Sequence, residues 1–192
     1  MKNIIYNSLI ILSFLVSFSF STATDDVTCG GDERWDVKTL TDADAKKVNF
    51  KADTVTVDYL IKIQPDRKIG NKLSRFGVEF KTFVVVCGIR EYRREDDGDY
   101  HLVLYDLKDT NKTMIGEIPL TFCSSVSKSK YAKKFEQSAD YFEQKVMDKK
   151  YKTKKGVYKI YGPAFYDKKH GQLGLAPNGI EIHPILSIKK VS

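Results

Sequence analysis

The longest run of strand-forming residues constrains the fold of this chain most, and it covers positions 78–95, VEFKTFVVVCGIREYRRE. β-Branched and aromatic side chains dominate the run, which therefore predicts a long strand. Gly88 lies inside it and indicates a bulge or a sharp bend, because a glycine within a strand has no side chain to pack. A long, bent first strand suits a small closed barrel.

Further strands are predicted at 100–106 (YHLVLYD), 113–120 (TMIGEIPL), 156–165 (GVYKIYGPAF) and 179–188 (GIEIHPILSI). The first of these alternates between two faces, as strands do. A helix is predicted from about Ser127 to Met147, between the second and third of these segments. Its apolar stripe recurs at spacings of three and four residues and consists of Tyr131, Phe135, Ala139, Phe142 and Val146.

Three strands, one helix and two strands form the element order of the OB-fold, a five-stranded Greek-key barrel with a helix between strands three and four. We therefore expect a mainly β (α+β), OB-like barrel over residues 77–192, although other small α+β barrels share this order. Residues 24–76 have weak periodicity and predict an irregular N-terminal arm packed on the barrel, with Trp35 as its anchor. Within the arm, Thr41 and Thr56 are expected to begin short helical turns.

Residues 1–23 have the features of a secretory signal peptide. An apolar run from Leu9 to Phe20 follows one lysine, and Ser21 and Ala23 suit a cleavage site. The alternative, a membrane anchor, is disfavoured because a spanning helix needs about 20 apolar residues. We therefore expect a secreted or extracytoplasmic protein (periplasmic in a Gram-negative host) with no stable membrane span. Residues 24–192 are long enough for one domain.

Export favours disulfide formation, and the chain has three cysteines. Cys87 lies in an apolar strand run, which is typical of a small buried hydrophobe. Cys29 and Cys123 have polar, turn-like surroundings, so we expect a disulfide between them that ties the arm to the barrel. The other two pairings stay open on sequence alone. Asn111 begins the glycosylation sequon NKT, which matters only in a eukaryotic host.

The C-terminal stretch DKKHGQLGLAPNGIEIHPIL, residues 167–186, holds two of the three histidines. Glu181 and His183 share one parity of the last strand, which places them on one face about 7 Å apart. The loop can bring Asp167 and His170 close to them, and carboxylates beside imidazoles can hold a metal or share a proton. The alternative is a structured loop whose polar groups satisfy one another. The spacing of the histidines and cysteines is not that of a strong zinc motif.

The acidic turn EDDGD, residues 95–99, lies beside His101. Its carboxylates can bind a hard divalent cation through oxygen, or they can form an ordinary exposed hairpin turn. It lacks the full spacing of an EF-hand loop. A divalent cation is accordingly the cofactor that we consider, with Asp97, Asp99 and Glu181 as its candidate ligands.

Four segments together resemble a family of small exported proteins, mostly bacterial and uncharacterised in activity: CGGDERWDVKTLTDADAKKVNF, EDDGDYHLVLYD, MIGEIP and HGQLGLAPNGIEIHPILSI. That family has a similar Glu-Arg-Trp segment, an Asp-Tyr-His-Leu-Val-Leu strand and a His-Gly-Gln to Glu-Leu-His-Pro ending. The resemblance implies a single domain, and this chain departs from the family in its many lysines and in Cys87. The positions that it singles out are Glu33, Arg34, Trp35, Lys38, Asp99, His101, Glu117, His170, Gln172, Asn178, Glu181 and His183.

Three functions are consistent with these patterns. The first is a non-catalytic, OB-like protein that binds a polyanion (nucleic acid or acidic glycan) or an oligosaccharide, using basic residues and the expected exposed tyrosines Tyr92, Tyr105 and Tyr158. Its predicted ligand-binding residues are Trp35, Tyr92, His101, Tyr105, Asp167, His170, Gln172 and Asn178. The second is a secreted metal-dependent nuclease or phosphodiesterase, with His170, His183 and Glu181 as catalytic residues. The third is a structural, envelope-associated protein.

Overall fold

The computed structural model describes residues 29–30, 33–148 and 155–191, so the predicted signal peptide lies outside the described residues. The strands of the described part are β1 (Asn49–Thr56), β2 (Lys81–Arg94), β3 (Asp99–Tyr105), β4 (Thr113–Pro119), β5 (Tyr158–Tyr166), β6 (Ile180–Ile182) and β7 (Ser187–Lys190). The α-helices are α1 (Trp35–Lys38), α2 (Val57–Leu60), α3 (Ser124–Ser127) and α4 (Ala132–Tyr141). Short 3-10 turns cover Ala45–Lys47 and Gly77–Phe80, and a π-helical segment, Phe142–Val146, continues α4.

Five strands in the described part of the chain close into a barrel in the order β2-β3-β4-β6-β5, and β5 pairs back with β2. Neighbouring strands are antiparallel except β4 and β6, which are parallel. α4 lies between β4 and β5 in the chain and contacts β4 and β7. The prediction of a mainly β, OB-like barrel with its helix after the third barrel strand is confirmed.

β2 is the long strand predicted for residues 78–95, and its two halves pair with different strands. Its first half, Thr82–Cys87, pairs with β5, and its second half, Gly88–Arg94, pairs with β3. The register with β3 shifts between Ile89 and Glu91, directly after Gly88. The irregularity thus lies where the glycine predicted it, and it lets one strand turn from one side of the barrel to the other.

Apolar side chains fill the barrel, and the largest core cluster includes Val85, Leu102, Leu104, Met114, Ile160 and Ile182. A second cluster lies under α3 and α4 and contains Leu40, Val126, Phe135 and Leu186, with Trp35 packed against it. The Trp35 indole Nε1 donates a hydrogen bond of 3.0 Å to Ser125 Oγ. Trp35 therefore occupies the position expected of an anchor between the arm and the helical side of the barrel.

The N-terminal arm is more regular than its sequence predicted, because it contains β1, which lies parallel to β2. Every residue of β1 is exposed or half-buried, so the strand lacks the buried apolar face that sequence periodicity detects. The helical turn expected from Thr56 is confirmed as α2, where Thr56 Oγ1 accepts from Tyr59 N at 3.2 Å. The turn expected from Thr41 begins later, as the 3-10 turn Ala45–Lys47.

Two predicted elements are interrupted. The continuous helix over Ser127–Met147 is instead α3, a turn, α4 and the π-helical segment, and Ser129 Oγ accepts from Tyr131 N at 3.2 Å within that turn. The last strand divides into β6 and β7 around Pro184, which has no backbone N–H for a ladder and follows a cis peptide bond.

The division of the last strand changes which side chains are buried together. Ile180, Ile182 and Ile185 pack in the main core, whereas Leu186 belongs to the second cluster. A Cβ at Gly162 of β5 would overlap the carbonyl oxygen of Pro184, so only glycine lets the two segments approach this closely.

The predicted Cys29–Cys123 disulfide is present, and it links the arm to the segment after β4 across 94 residues. Cys87 is a free, buried cysteine of the core, also as predicted. None of the helices in the described ranges is long and apolar enough to cross a bilayer.

We expect the disulfide to contribute roughly 4–5 kcal/mol to the free energy of unfolding, because it closes a long loop in the unfolded chain. Urea denaturation with and without dithiothreitol measures this contribution. The reductant should destabilise both the wild type and Cys87→Ala, and it should leave the double variant Cys29→Ser/Cys123→Ser unchanged. Equal stability of the wild type with and without dithiothreitol would contradict the prediction.

Candidate functional site

A pocket of about 570 Å³ opens at one end of the barrel. It lies between the start of the arm, the β2–β3 turn, β4 and the loop after β5. Its lining residues are Glu33, Trp35, Lys38, Arg93, Glu95, Asp96, Asp97, His101, Glu117, Asp167, His170, Gly171, Gln172 and Leu173. Six of these side chains are carboxylates and two are lysine or arginine, so the pocket is acidic although the whole chain has a net charge of +7.

The arm side of the pocket is fixed by a buried ion pair between Arg34 and Glu79. The guanidinium nitrogens of Arg34 donate to both carboxylate oxygens, at 2.6 and 2.8 Å. Glu79 also accepts from the backbone N–H groups of Phe76 and Tyr166, at 3.0 and 2.9 Å. Since both partners are saturated with hydrogen bonds, the pair holds α1, and with it Lys38, against the barrel.

The loop after β5 forms the other side of the pocket. Asp167 N donates to Gly179 O at 2.9 Å, which closes the base of the loop. Gly174 has a φ of 83°, and a Cβ there would lie 2.7 Å from Val103 of β3, so glycine is required for the loop to lie on the barrel. The backbone carbonyl of Leu173, in the same loop, accepts from His101 Nε2 at 2.9 Å.

His101 and Glu117 are direct cross-strand neighbours on β3 and β4. His101 Nδ1 lies 3.0 Å from Glu117 Oε1, and a ring that donates from Nε2 to a carbonyl can also donate from Nδ1 only as imidazolium. Burial disfavours the charged ring, but the hydrogen bond and charge of Glu117 outweigh it and raise the pKa of His101 above its ordinary value. Glu117 is thereby held in one orientation at the floor of the pocket.

Glu117 at this floor and two side chains beneath it, Asp99 and His183, form what we call the inner triad. Each offers one oxygen or nitrogen, and the three atoms lie within 4.8 Å of one another. They come from β3, from β4 and from the residue after β6, and these strands are adjacent in the barrel. All three residues are buried, and the side chain of His183 is 0% exposed.

The atoms of the inner triad lie close to one another, but their contacts are poorly aligned for hydrogen bonding. His183 Nδ1 lies 2.7 Å from Glu117 Oε2 and its Nε2 lies 3.4 Å from Asp99 Oδ2, yet neither contact has hydrogen-bond geometry. Among the described residues, Glu117 Oε2, both Asp99 oxygens and both His183 nitrogens have no hydrogen-bond partner. Both carboxylate oxygens of the buried Glu181 also lack a hydrogen-bond partner.

The pKa values of the buried carboxyl groups and of His183 are shifted in different directions. Burial opposes ionisation of Glu117, but the charge of Lys38 and the hydrogen bond from His101 outweigh it and hold the pKa of Glu117 well below its usual range. Burial and repulsion by Glu117 raise the pKa values of Asp99 and Glu181 well above theirs. Burial lowers the pKa of His183, so its ring is neutral at pH 7. Ionisation is thus favoured at Glu117 and disfavoured at Asp99 and Glu181.

A second group, Glu33, Asp167 and His170, lies at the pocket mouth, and we call it the outer triad. Its ligand-type atoms also lie within 4.8 Å of one another. Burial and the nearby Asp167 raise the pKa of Glu33. Asp167 Oδ1 already accepts from Lys168 N at 2.8 Å, and the side chain of His170 is 53% exposed. The outer triad is thus wetter and better satisfied than the inner one.

Lys38 lies between the two triads. Its ammonium Nζ is 3.7 Å from Glu117 Oε2 of the inner triad and 3.6 Å from Asp167 Oδ2 of the outer triad. Lys38 is only 6% exposed, and its ammonium lies 5.5 Å from the centre of the Phe165 ring.

Half of the predicted site residues line this pocket, and Asp99 and His183 lie beneath it. The C-terminal group of Asp167, His170, Glu181 and His183 is divided between the pocket mouth and the buried floor. Of the predicted metal ligands, Asp99 belongs to the inner triad, Asp97 lines the pocket, and Glu181 is buried outside the triad. Of the predicted ligand-binding residues, those that line the pocket are Trp35, His101, Asp167, His170 and Gln172.

Four predicted assignments need correction. Tyr92 and Tyr158 were expected to be exposed, but they are 8% and 0% exposed, and Tyr92 packs edge-on against Phe142. Tyr105 is half-buried over Gly88 on another side of the barrel. Asn178 is structural, since its amide donates to the backbone carbonyls of Leu60 and Ile63.

Reasoning from residue patterns missed Glu117, Lys38, Glu33 and Arg93. The family resemblance singled out the first three, and a usable signal was available for Glu117, which interrupts the apolar strand MIGEIPL. The contact of Lys38 with Glu117 joins positions 79 residues apart, and no local pattern encodes it. No protein-family model, curated protein or solved structure matches the chain, so its function has to be argued from the chemistry of the pocket.

In metal-free protein we expect the pKa of His101 to lie above its ordinary value of 6.5 and that of His183 to lie below it. Imidazole ¹H–¹⁵N correlation spectra recorded across pH measure both values, and His170→Asn assigns the third ring. Glu117→Gln should lower the pKa of His101. If both buried rings titrated on the same side of 6.5, the assigned charge pattern would be wrong.

The same shift predicts a pH dependence of stability. The folded-state pKa of His101 is raised, so its pairing with Glu117 stabilises the fold below the unfolded-state pKa and loses this effect as pH rises through the folded-state value. Urea midpoints of the wild type and His101→Gln measured from pH 5 to 9 should therefore converge towards high pH. A constant difference between the two proteins would contradict this.

Proposed function

We propose that this protein is an exported hydrolase that holds a divalent cation on the inner triad and acts on a substrate in the pocket above it. The observation that carries the proposal is the set of buried triad atoms that face one another without hydrogen bonds. An unpaired buried polar group costs about 1–3 kcal/mol, so such a cluster needs an occupant. A single cation takes one ligand atom from each of the three side chains, and ordered water is the competing occupant.

The donor set favours particular metals. Two carboxylate oxygens and a neutral imidazole nitrogen suit Zn²⁺ or Mn²⁺, whereas Mg²⁺ and Ca²⁺ prefer oxygen ligands alone. Three protein ligands leave coordination positions open, which is typical of catalytic and not of structural zinc sites. A cation held there supplies a Lewis acid and lowers the pKa of bound water.

The chain itself supplies the orientation of the site. His101 fixes Glu117 by its hydrogen bond, in the way that supporting residues fix metal ligands in general. Glu117 is the triad member that also lines the pocket, so it connects the buried floor with the space that a substrate can enter.

The acidic lining of the pocket disfavours the alternative of a non-catalytic protein that binds a polyanion there. Carboxylates outnumber lysine and arginine in its lining, so a bare polyanion is repelled from it. Exposed lysines such as Lys133 and Lys134 lie on α4, outside the pocket. Oligosaccharide binding is the second candidate function, because the half-buried Trp35 lines the pocket beside carboxylates and Gln172 and offers an apolar ring face to a sugar.

Export is part of the proposal. It rests on the predicted signal peptide and on the resemblance to exported proteins, and a disulfide between the arm and the barrel agrees with an oxidising compartment.

Metal binding is tested by thermal and urea denaturation of EDTA-treated protein titrated with ZnCl₂, MnCl₂ or MgCl₂. We expect Zn²⁺ or Mn²⁺ to raise the free energy of unfolding by about 2.7 kcal/mol at 100 times the dissociation constant. Asp99→Asn keeps the shape of the side chain and removes a charge that burial and Glu117 already disfavour, so it should keep the metal-free stability and lose the metal effect. Asp53→Asn, on exposed β1, is the matched control and should keep both. Equal metal responses of the two variants would exclude the inner triad as the site.

Hydrolysis is tested with the metal-loaded protein on bis(p-nitrophenyl) phosphate, p-nitrophenyl glycosides, DNA and RNA. Asp99→Asn and His183→Ala should lower turnover by more than about 100-fold, the upper range for residues that only support a metal ligand. Asp53→Asn should be unaffected. Oligosaccharide binding without turnover of any substrate would replace the hydrolase by the second candidate.

A further inference from the structure

Lys38 has unused hydrogen-bonding capacity in the pocket. Its two nearest carboxylate oxygens are 3.6 and 3.7 Å away, beyond the range of about 2.7–3.2 Å for an N–H to oxygen hydrogen bond. Within the described residues its ammonium thus has ion-pair neighbours but no direct hydrogen-bond acceptor. The side chain is 6% exposed, and it lines the pocket.

The Lys38 ammonium also lies close to an oxygen of the inner triad. Glu117 Oε2, which is 3.7 Å from Lys38 Nζ, is also 2.7 Å from His183 Nδ1 in the inner triad. A ligand above Glu117 therefore meets the ammonium from one side and the triad from the other. Arg93, the other non-histidine cation of the lining, lies on the exposed end of β2.

We propose that Lys38 is an anion anchor, and that the substrates of this pocket carry a phosphoryl group whose oxygens bridge the Lys38 ammonium and the cation of the inner triad. This inference rests on the proposed hydrolase function and narrows its substrate class to phosphate esters. A phosphoryl group offers several anionic oxygens on one centre, whereas a neutral sugar hydroxyl does not need a buried ammonium. The chemistry is shared by free phosphate and phosphate esters, so inorganic phosphate is a suitable probe.

The acidic lining adds a condition to this proposal. The carboxylates of the pocket repel an anion, so phosphate should bind well only when the divalent cation is present. By linkage, phosphate must then raise the affinity of the protein for the cation by the same factor by which the cation raises its affinity for phosphate.

Trp35 provides a direct readout, because it is the only tryptophan of the chain and it lines the pocket. Phosphate is titrated into Zn²⁺-loaded and EDTA-treated protein while the fluorescence of Trp35 is recorded, and calorimetry gives the zinc affinity. The variants are Lys38→Met, Lys38→Arg and Lys159→Met, which removes the same charge from an exposed position on β5.

We expect the zinc-loaded wild type to bind phosphate about tenfold or more tightly than the EDTA-treated wild type. Lys38→Met should weaken phosphate binding by about tenfold or more while zinc affinity stays equal or rises, because an ammonium no longer competes for Glu117. Lys38→Arg should keep part of the phosphate affinity, and Lys159→Met should keep all of it.

Unchanged phosphate binding in Lys38→Met would overturn the anchor and leave the hydrolase standing. Loss of zinc binding in Lys38→Met would also overturn it, since Lys38 would then organise the triad. If Lys38→Met did not fold, equal phosphate affinity of the zinc-loaded and EDTA-treated wild type would overturn the bridging arrangement. If zinc bound to no form of the protein, the proposed function and the bridging arrangement would both fall.

Discussion

The closure of the barrel depends on β2, whose two halves pair with different neighbours. One half forms a ladder with β5 and the other with β3, and the register shift after Gly88 turns the strand between them. Closure gives most backbone N–H and C=O groups of the barrel a partner, which an open sheet of this size would not. Apolar side chains fill the interior of the barrel, and polar side chains line the pocket at one end.

The pocket at that end is built by three separate parts of the chain, and the buried Arg34–Glu79 pair brings them together. The pair fixes the arm against the segment before β2, and the backbone N–H of Tyr166 joins the end of β5 to the same carboxylate. Because every hydrogen-bonding group of Glu79 is used, this contact is specific as well as strong. It places Lys38 above β4 and next to the loop after β5.

The inner triad destabilises the folded protein, and the packing of the surrounding core offsets this destabilisation. Buried polar groups without partners destabilise a domain, so they persist where a well-packed apolar core offsets them. Asp99 lies on β3 and His183 directly follows β6, and other side chains of these strands, such as Leu102 and Ile182, are fully buried. This contrast between a satisfied core and an unsatisfied cluster is the physical basis for regarding the cluster as a ligand site.

Sequence alone determined the order of the barrel strands along the chain, the interruption at Gly88 and several of the side chains that line the pocket, and it favoured the Cys29–Cys123 pair without excluding the other two pairings. These features are encoded locally, in alternation, in β-branched composition and in turn residues. It did not determine β1, whose exposed faces carry no apolar period, or the break at Pro184, which moved Ile185 into the core. Only the tertiary structure decided that Glu117 meets Lys38 and His183, because register between distant strands brings these residues together. The unpaired state of their atoms, on which the proposed chemistry depends, exists only once the barrel has excluded water from them.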